Sequence, residues 1–155
     1  MGNYGDAFLM RALVAYMGLG ANVNEESTCP RTFVDDQGIQ LNGRYNYVLH
    51  FNEDQLPPVE AFWSVTMYDK EFYLVKNDIN RWAIADYTPG LEKNDDGSLD
   101  IYIQRCRPVR ESNWLPAPKD EFNLVLRMYQ PSAKVLNGTY EVPGVRRVTN
   151  SPHIH

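Results

Sequence analysis

Four stretches of this chain alternate apolar and polar side chains with a period of two, and turn-forming residues separate them. That rhythm constrains the fold more than any other feature. From Arg44 to Phe51, Tyr45, Tyr47, Leu49 and Phe51 share one side, while Arg44, Asn46, Val48 and His50 share the other. Ala61, Trp63, Val65 and Met67 oppose Phe62, Ser64, Thr66 and Tyr68. Leu99, Ile101 and Ile103 oppose Asp100, Tyr102 and Gln104, and Phe122, Leu124, Leu126 and Met128 oppose Asn123, Val125, Arg127 and Tyr129. Side chains two apart point the same way along a strand, so each stretch reads as a strand with one core-facing side. Turn signals at Asp35-Asp36-Gln37-Gly38, Thr88-Pro89-Gly90 and Asn94-Asp95-Asp96-Gly97 fit an antiparallel sandwich or barrel.

The weaker segments fill in around these four. Thr28 to Val34 suits an edge strand because Pro30 cannot donate to a ladder. Leu56-Pro57-Pro58 breaks the chain before the Ala61 strand. Asp69 to Glu71 reads as hairpin material with Phe72 to Val75 as a partner strand, and Trp82 to Ile84 as a further short strand. Cys106 to Lys119 reads as a long loop, Ser132 to Leu136 as at most one helical turn, and Val142 to Val148 as a short edge strand. The predicted fold class is mainly β: an antiparallel β-sandwich over 28–148 with one N-terminal helix over 1–20, and a frayed tail over 149–155.

The helix is predicted over Asn3 to Leu19, capped by Asn3 and stopped by Gly18 and Gly20. Phe8, Ala12, Ala15 and Leu19 form one apolar row, and Leu9, Leu13, Tyr16 and Met17 continue it around the cylinder. A helix apolar nearly all round needs cover on more than one side. One sheet does not supply that, so a partner surface is expected: a homo-oligomer contact or an upstream companion domain.

At 155 residues the length is that of a single domain, and the net charge of −5 argues against a nucleic-acid backbone as partner. Arg105, Arg107 and Arg110 lie close together, but prolines around them suit a solvated loop. No stretch of about 20 apolar residues predicts a membrane span. The first residues lack the basic start of a signal peptide, which makes the cytoplasm the default location. Cys29 and Cys106 form no C-x-x-C pair, and two free thiols is the simplest reading.

Several blocks, in order, resemble the DUF1214 family, the domain that usually follows a DUF1254 domain in longer proteins. They are Gly18-Leu19-Gly20-Ala21-Asn22, Leu56-Pro57-Pro58-Val59 with Ala61-Phe62-Trp63-Ser64 and Met67-Tyr68-Asp69, and Asn80-Arg81 with Thr88-Pro89-Gly90-Leu91. Further along come Asp96-Gly97-Ser98-Leu99, Asn113-Trp114-Leu115-Pro116-Ala117-Pro118 and Leu126-Arg127-Met128-Tyr129. The resemblance implies a jelly-roll-like β-sandwich and a companion domain upstream. It carries over no catalytic residue and no cofactor.

Catalytic signatures are sparse. Neither a G-x-S-x-G elbow nor an H-E-x-x-H pair occurs. A triad would need His50 with Ser64. A hydrolase working through paired carboxylates would need two of Asp69, Asp86 and Asp100 to converge at about 5–9.5 Å. Glu92 to Gly97 imitates the start of a calcium loop, yet its twelfth position is Ile103 rather than a glutamate. His153 and His155 make at best a weak metal site on a tail, so no metal or other cofactor is expected.

The best candidate is a face. Tyr68, Tyr102, Gln104 and Arg127 on the polar side of the strands, with Asn80, Arg81 and Trp114 from loops, suit a polar small molecule or a glycan. Aromatic rings give apolar contact, amides fix orientation, and Arg127 matches a carboxylate. Thr, Tyr and Arg are also what any exposed antiparallel face uses. The first expectation is therefore a non-catalytic ligand-binding or assembly domain, and the alternative is the carboxylate hydrolase.

Overall fold

The four alternating stretches turn their apolar sides to one interior, except at Tyr45, which precedes its strand, and Ala61, which falls at a register shift; both are exposed. In the computed structural model, which describes residues 24–148, Trp63, Ile101 and Leu124 belong to a single buried cluster with Tyr47, Phe51, Met67, Leu115 and Met128. The predicted helix over Asn3 to Leu19 and the tail at 149–155 lie outside the described residues.

Among the described residues nine strands form two sheets. They are β1 (Ser27–Thr28), β2 (Arg31–Thr32), β3 (Asn46–Phe51), β4 (Val59–Asp69), β5 (Ala83–Ala85), β6 (Leu99–Gln104), β7 (Trp114–Pro116), β8 (Phe122–Pro131) and β9 (Val145–Val148). A one-turn helix, α1 (Ala133–Leu136), follows β8. The first sheet runs β1-β8-β4-β5, with β2 also on β8, and the second runs β7-β6-β3-β9. Both sheets contribute to the shared core, so each has one inner and one outer face.

The central pair of the first sheet, β4 and β8, matches Trp63 with Met128, Val65 with Leu126 and Met67 with Leu124. These are the inward rows. In the second sheet, β3 and β6 match Tyr47 with Ile103, Leu49 with Ile101 and Phe51 with Leu99. Every inward side chain in those rows is buried. Edge Pro30 splits the predicted 28–34 strand into β1 and β2, as a residue without an N–H should.

Two segments differ from their sequence-based reading. The Cys106–Lys119 stretch is not all loop: a 3-10 turn at Glu111–Asn113 leads into β7, which pairs parallel with β6. The second sheet is therefore mixed. Phe72 to Val75 is no partner strand, since only Leu74 bridges back to Tyr68. Phe72 adopts a left-handed backbone, φ 66°, which no regular strand accommodates. The Asn94–Gly97 turn does close, with Gly97 N–H on Asn94 O at 2.9 Å and Asn94 N–H on Ser98 O at 2.8 Å. Hydrogen bonds from the Ser98 hydroxyl and backbone hold the Asp96 carboxyl below its ordinary range.

Buried polar groups pin the edges. Asp35 accepts N–H groups from Gln37 at 3.1 Å and Ile39 at 2.9 Å, and Arg147 of β9 at 3.2 Å. Its side chain is fully enclosed. One carboxylate thus closes a turn and ties the second sheet's last strand to the β2–β3 connection.

Candidate functional site

The outer face of the first sheet has a floor of small side chains and a roof of large ones. Ser64, Thr66, Ala85 and Val125 are buried although they point away from the core. Their cover comes from neighbours. Arg127 stands opposite Ser64, and Tyr68 lies four residues further along β4, about 13 Å at strand spacing. The two lean together, and Arg127 donates to the Tyr68 hydroxyl at 2.7 Å. That bridge passes over Thr66 and Val125. Toward the other end, Phe62 stacks on Tyr129 with centroids 4.4 Å apart and meets Tyr87 edge-on at 5.4 Å.

A second guanidinium joins the Tyr68 end. Arg31 of β2 pairs with Val125, which places it on the same outer face. Its guanidinium carbon lies 5.9 Å from the Tyr68 centroid and 5.0 Å from that of Phe72, while Arg127 lies 5.6 Å from Tyr68. Among the described residues neither arginine has a carboxylate partner. Phe33 meets Phe72 edge-on at 6.3 Å, and both rings are exposed.

The other sequence-predicted site residues lie elsewhere. Tyr102 and Gln104 are in β6, so they occupy the outer face of the second sheet, across the core from Tyr68 and Arg127. One shared polar wall is thereby corrected to two opposed ones. The signal was ambiguous because alternation tells inside from outside but not which sheet a strand joins. Trp114 is buried beside them, its indole N–H donating to Gln104 O at 2.7 Å. Arg81 donates to the carbonyls of Glu111, Ser112 and Trp114, the last at 3.0 Å. Those bonds stitch the β4–β5 connection to β7. Asn80 is exposed in a turn at φ 50°, its N–H on Asn77 O at 3.2 Å. Asn113 is fully enclosed and ties Glu92 and Asp100 backbone groups together.

The groups considered for catalysis do not converge. His50 bonds Asp100 at 2.7 Å and Asn52 at 3.1 Å on the second sheet, whereas Ser64 faces outward from the first. Asp100 therefore shares no cleft with Asp69, which ends β4 and accepts the N–H groups of Glu71 and Tyr73. Asp86 donates its backbone N–H to Trp63, six residues up β4 from Asp69, about 20 Å along the strand. A retaining or inverting pair needs less than about 9.5 Å. Among the described residues no three His, Cys, Asp or Glu side chains gather as a metal site, and Cys29 and Cys106 are free and exposed. No helix among them is long and apolar enough to cross a membrane.

A cavity of about 220 Å³ opens between the sheets near β2 and β9, lined by Leu49, Val65, Leu124, Leu126, Val142 and Val145. Its lining is mostly apolar, with Arg31 and Thr32 at one side, and Asp35, its one acid, is already saturated by backbone N–H groups and Arg147. Convergent polar groups are found at Tyr68 rather than in this cavity. Sequence reading missed Arg31 and Phe72 there. Arg31 sits in a two-residue strand whose alternation is too short to read, and Phe72 falls in a stretch whose sequence reads as a strand.

Comparison with known proteins adds the following. The family model for a protein of unknown function, DUF1214, matches residues 26–133. Among solved structures, the VPA0106 protein from Vibrio parahaemolyticus superposes with a TM-score of 0.77 at 29% identity, over 90% of this chain and 35% of that one. An uncharacterised protein from Burkholderia cenocepacia superposes with a TM-score of 0.58 at 17% identity, over 90% of this chain and 33% of that one, a likeness of fold alone. This chain thus spans about a third of the length of both solved chains. No curated protein matches.

Proposed function

This chain belongs to the DUF1214 family, and we propose that its domain is a non-catalytic binding module that takes a polar, carbohydrate-like ligand at Tyr68. One observation carries this reading. Tyr68 is flanked by the guanidiniums of Arg31 and Arg127, neither paired with a carboxylate among the described residues. Rings beside unspent hydrogen-bond donors are the composition of a small-molecule site. Asp69 lies far along β4 from Asp86 and on a different sheet from Asp100, which favours the binding reading over the carboxylate-hydrolase alternative.

Calorimetric titration of the chain against neutral sugars, acidic sugars and small carboxylates tests the proposal. Saturable heat with one of these classes, lost in Tyr68→Ala, is the expected result. No heat from any compound contradicts it.

The finer architecture we propose is jelly-roll-like, with the two sheets as the halves of a sandwich. The apolar segment at 3–19 is proposed as a contact for a second copy or an upstream companion domain. Light scattering after size separation tests the first of these. Larger-than-monomer mass is expected, and a monomer at 17.9 kDa contradicts self-association.

A further inference from the structure

We propose that Arg31 and Arg127 are the two cationic arms of a site for an acidic sugar, a uronate, and that Phe72 is the wall on which its ring stacks. The inference rests on the binding reading above and gives that site its ligand class.

Acidic side chains outnumber basic ones in this chain, 20 to 15. Most other arginines placed near the body of the fold have found oxygen. Arg107 pairs with Glu111 at 3.2 Å, Arg110 with Glu92 at 3.7 Å and Arg147 with Asp35 at 3.2 Å, while Arg81 is held by backbone carbonyls. Arg31 and Arg127 have no such partner among the described residues. Arg127 spends one N–H on Tyr68. Because the Tyr68 hydroxyl accepts there, its own hydrogen is left to donate, and no described acceptor takes it. Two guanidiniums and a phenol O–H therefore gather at the Tyr68 ring, all of them donors. An acceptor bearing negative charge completes such a set, and a guanidinium fork fits a planar carboxylate best.

A bulky aromatic at φ 66° is a backbone outlier, and Phe72 is 52% exposed, so burial does not offset the strain. The Asp69 turn holds it there, with Phe72 N–H on Asp69 O at 3.1 Å and Asp69 N–H on Tyr73 O at 2.9 Å. Strain kept at an exposed ring points to use of that ring. Its neighbour is the Arg31 guanidinium at 5.0 Å. A flat apolar face beside convergent cations suits the C–H face of a pyranose that carries a carboxylate. An inorganic anion would leave the ring idle, and a neutral sugar would leave the arginines idle.

The test is calorimetry on the full chain with sodium galacturonate, galactose and inorganic phosphate, in low and high salt. Galacturonate is expected to bind at least about tenfold more tightly than either comparator, and to weaken as salt screens the arginines. Arg31→Gln should lose about tenfold in affinity at unchanged melting temperature, and Arg31→Lys should recover only part of it. Galactose binding as well as galacturonate would overturn the acidic class while leaving the binding module standing. Phosphate binding as well as galacturonate would overturn the stacking wall. Silence from all three, with the wider sugar and carboxylate panel also silent, would remove both readings.

Discussion

Replacing Asn113 with alanine should remove a large share of this domain's stability. Asn113 is fully enclosed at the entrance to β7. Its amide donates to Glu92 O at 2.7 Å and Asp100 O at 2.9 Å, and its carbonyl accepts Glu92 N–H and the Ser112 hydroxyl, both at 3.0 Å. Alanine leaves three part-buried backbone groups, Glu92 N–H, Glu92 O and Asp100 O, without this partner. Each costs about 1–3 kcal/mol when left unmade. Allowing for partial relaxation of the Glu92 loop, the loss is about 3–6 kcal/mol, against a total of about 5–15 kcal/mol for a domain of this size. Asn113→Asp should do no better, because it sets a carboxylate against two carbonyl oxygens. Ser112→Ala removes only the outer bond and should cost less than about 1 kcal/mol. Urea titration followed by tryptophan fluorescence reads all three, since Trp114 is the next residue. A shift of less than about 1 kcal/mol for Asn113→Ala, at unchanged slope, would refute the argument that this amide anchors the parallel strand.

Three further predictions rest on separate features. A Cβ at Gly43 would stand 1.6 Å from the Pro118 carbonyl oxygen, so Gly43→Ala should destabilise by about 1–3 kcal/mol in thermal or urea unfolding. Phe72→Gly relieves the left-handed aromatic and should raise stability by up to about 1 kcal/mol while weakening ligand uptake, a trade visible by running both assays on one sample. Burial pushes the Tyr140 phenol up to about 12, with its hydroxyl on Gln55 O at 3.0 Å. A folded value above the unfolded one makes its contribution complete below about pH 10 and lost as pH rises toward 12. The fall in stability from pH 9.5 to 11.5 should therefore be shallower in Tyr140→Phe.

Within the strands the fold was legible because alternation is a local property. Trp63, Val65 and Met67 had to share a side whatever they faced, and the same held for Leu99, Ile101 and Ile103. Pairing is not local. Nothing between Tyr68 and Tyr102 in the sequence says that β4 and β6 lie in different sheets, so two outward rows merged into one imagined wall. The 3-10 turn before β7 was hidden for a related reason. Trp114, Leu115 and Pro116 make a strand only because Asn113 and β6 hold them there, and three residues carry no period of their own. At the candidate site, Tyr68 and Arg127 were visible on alternation alone. Arg31 came to them through a two-residue edge pairing across about 90 positions of chain, which no residue pattern announces.

The most direct test is a backbone amide map of isotope-labelled protein titrated with sodium galacturonate. Shifts are expected at 31–33, 66–73 and 125–127, around Tyr68 and on the outer face of the first sheet. Shifts gathered instead at 100–104 and 114–116, or none at saturating ligand, would contradict the proposed site.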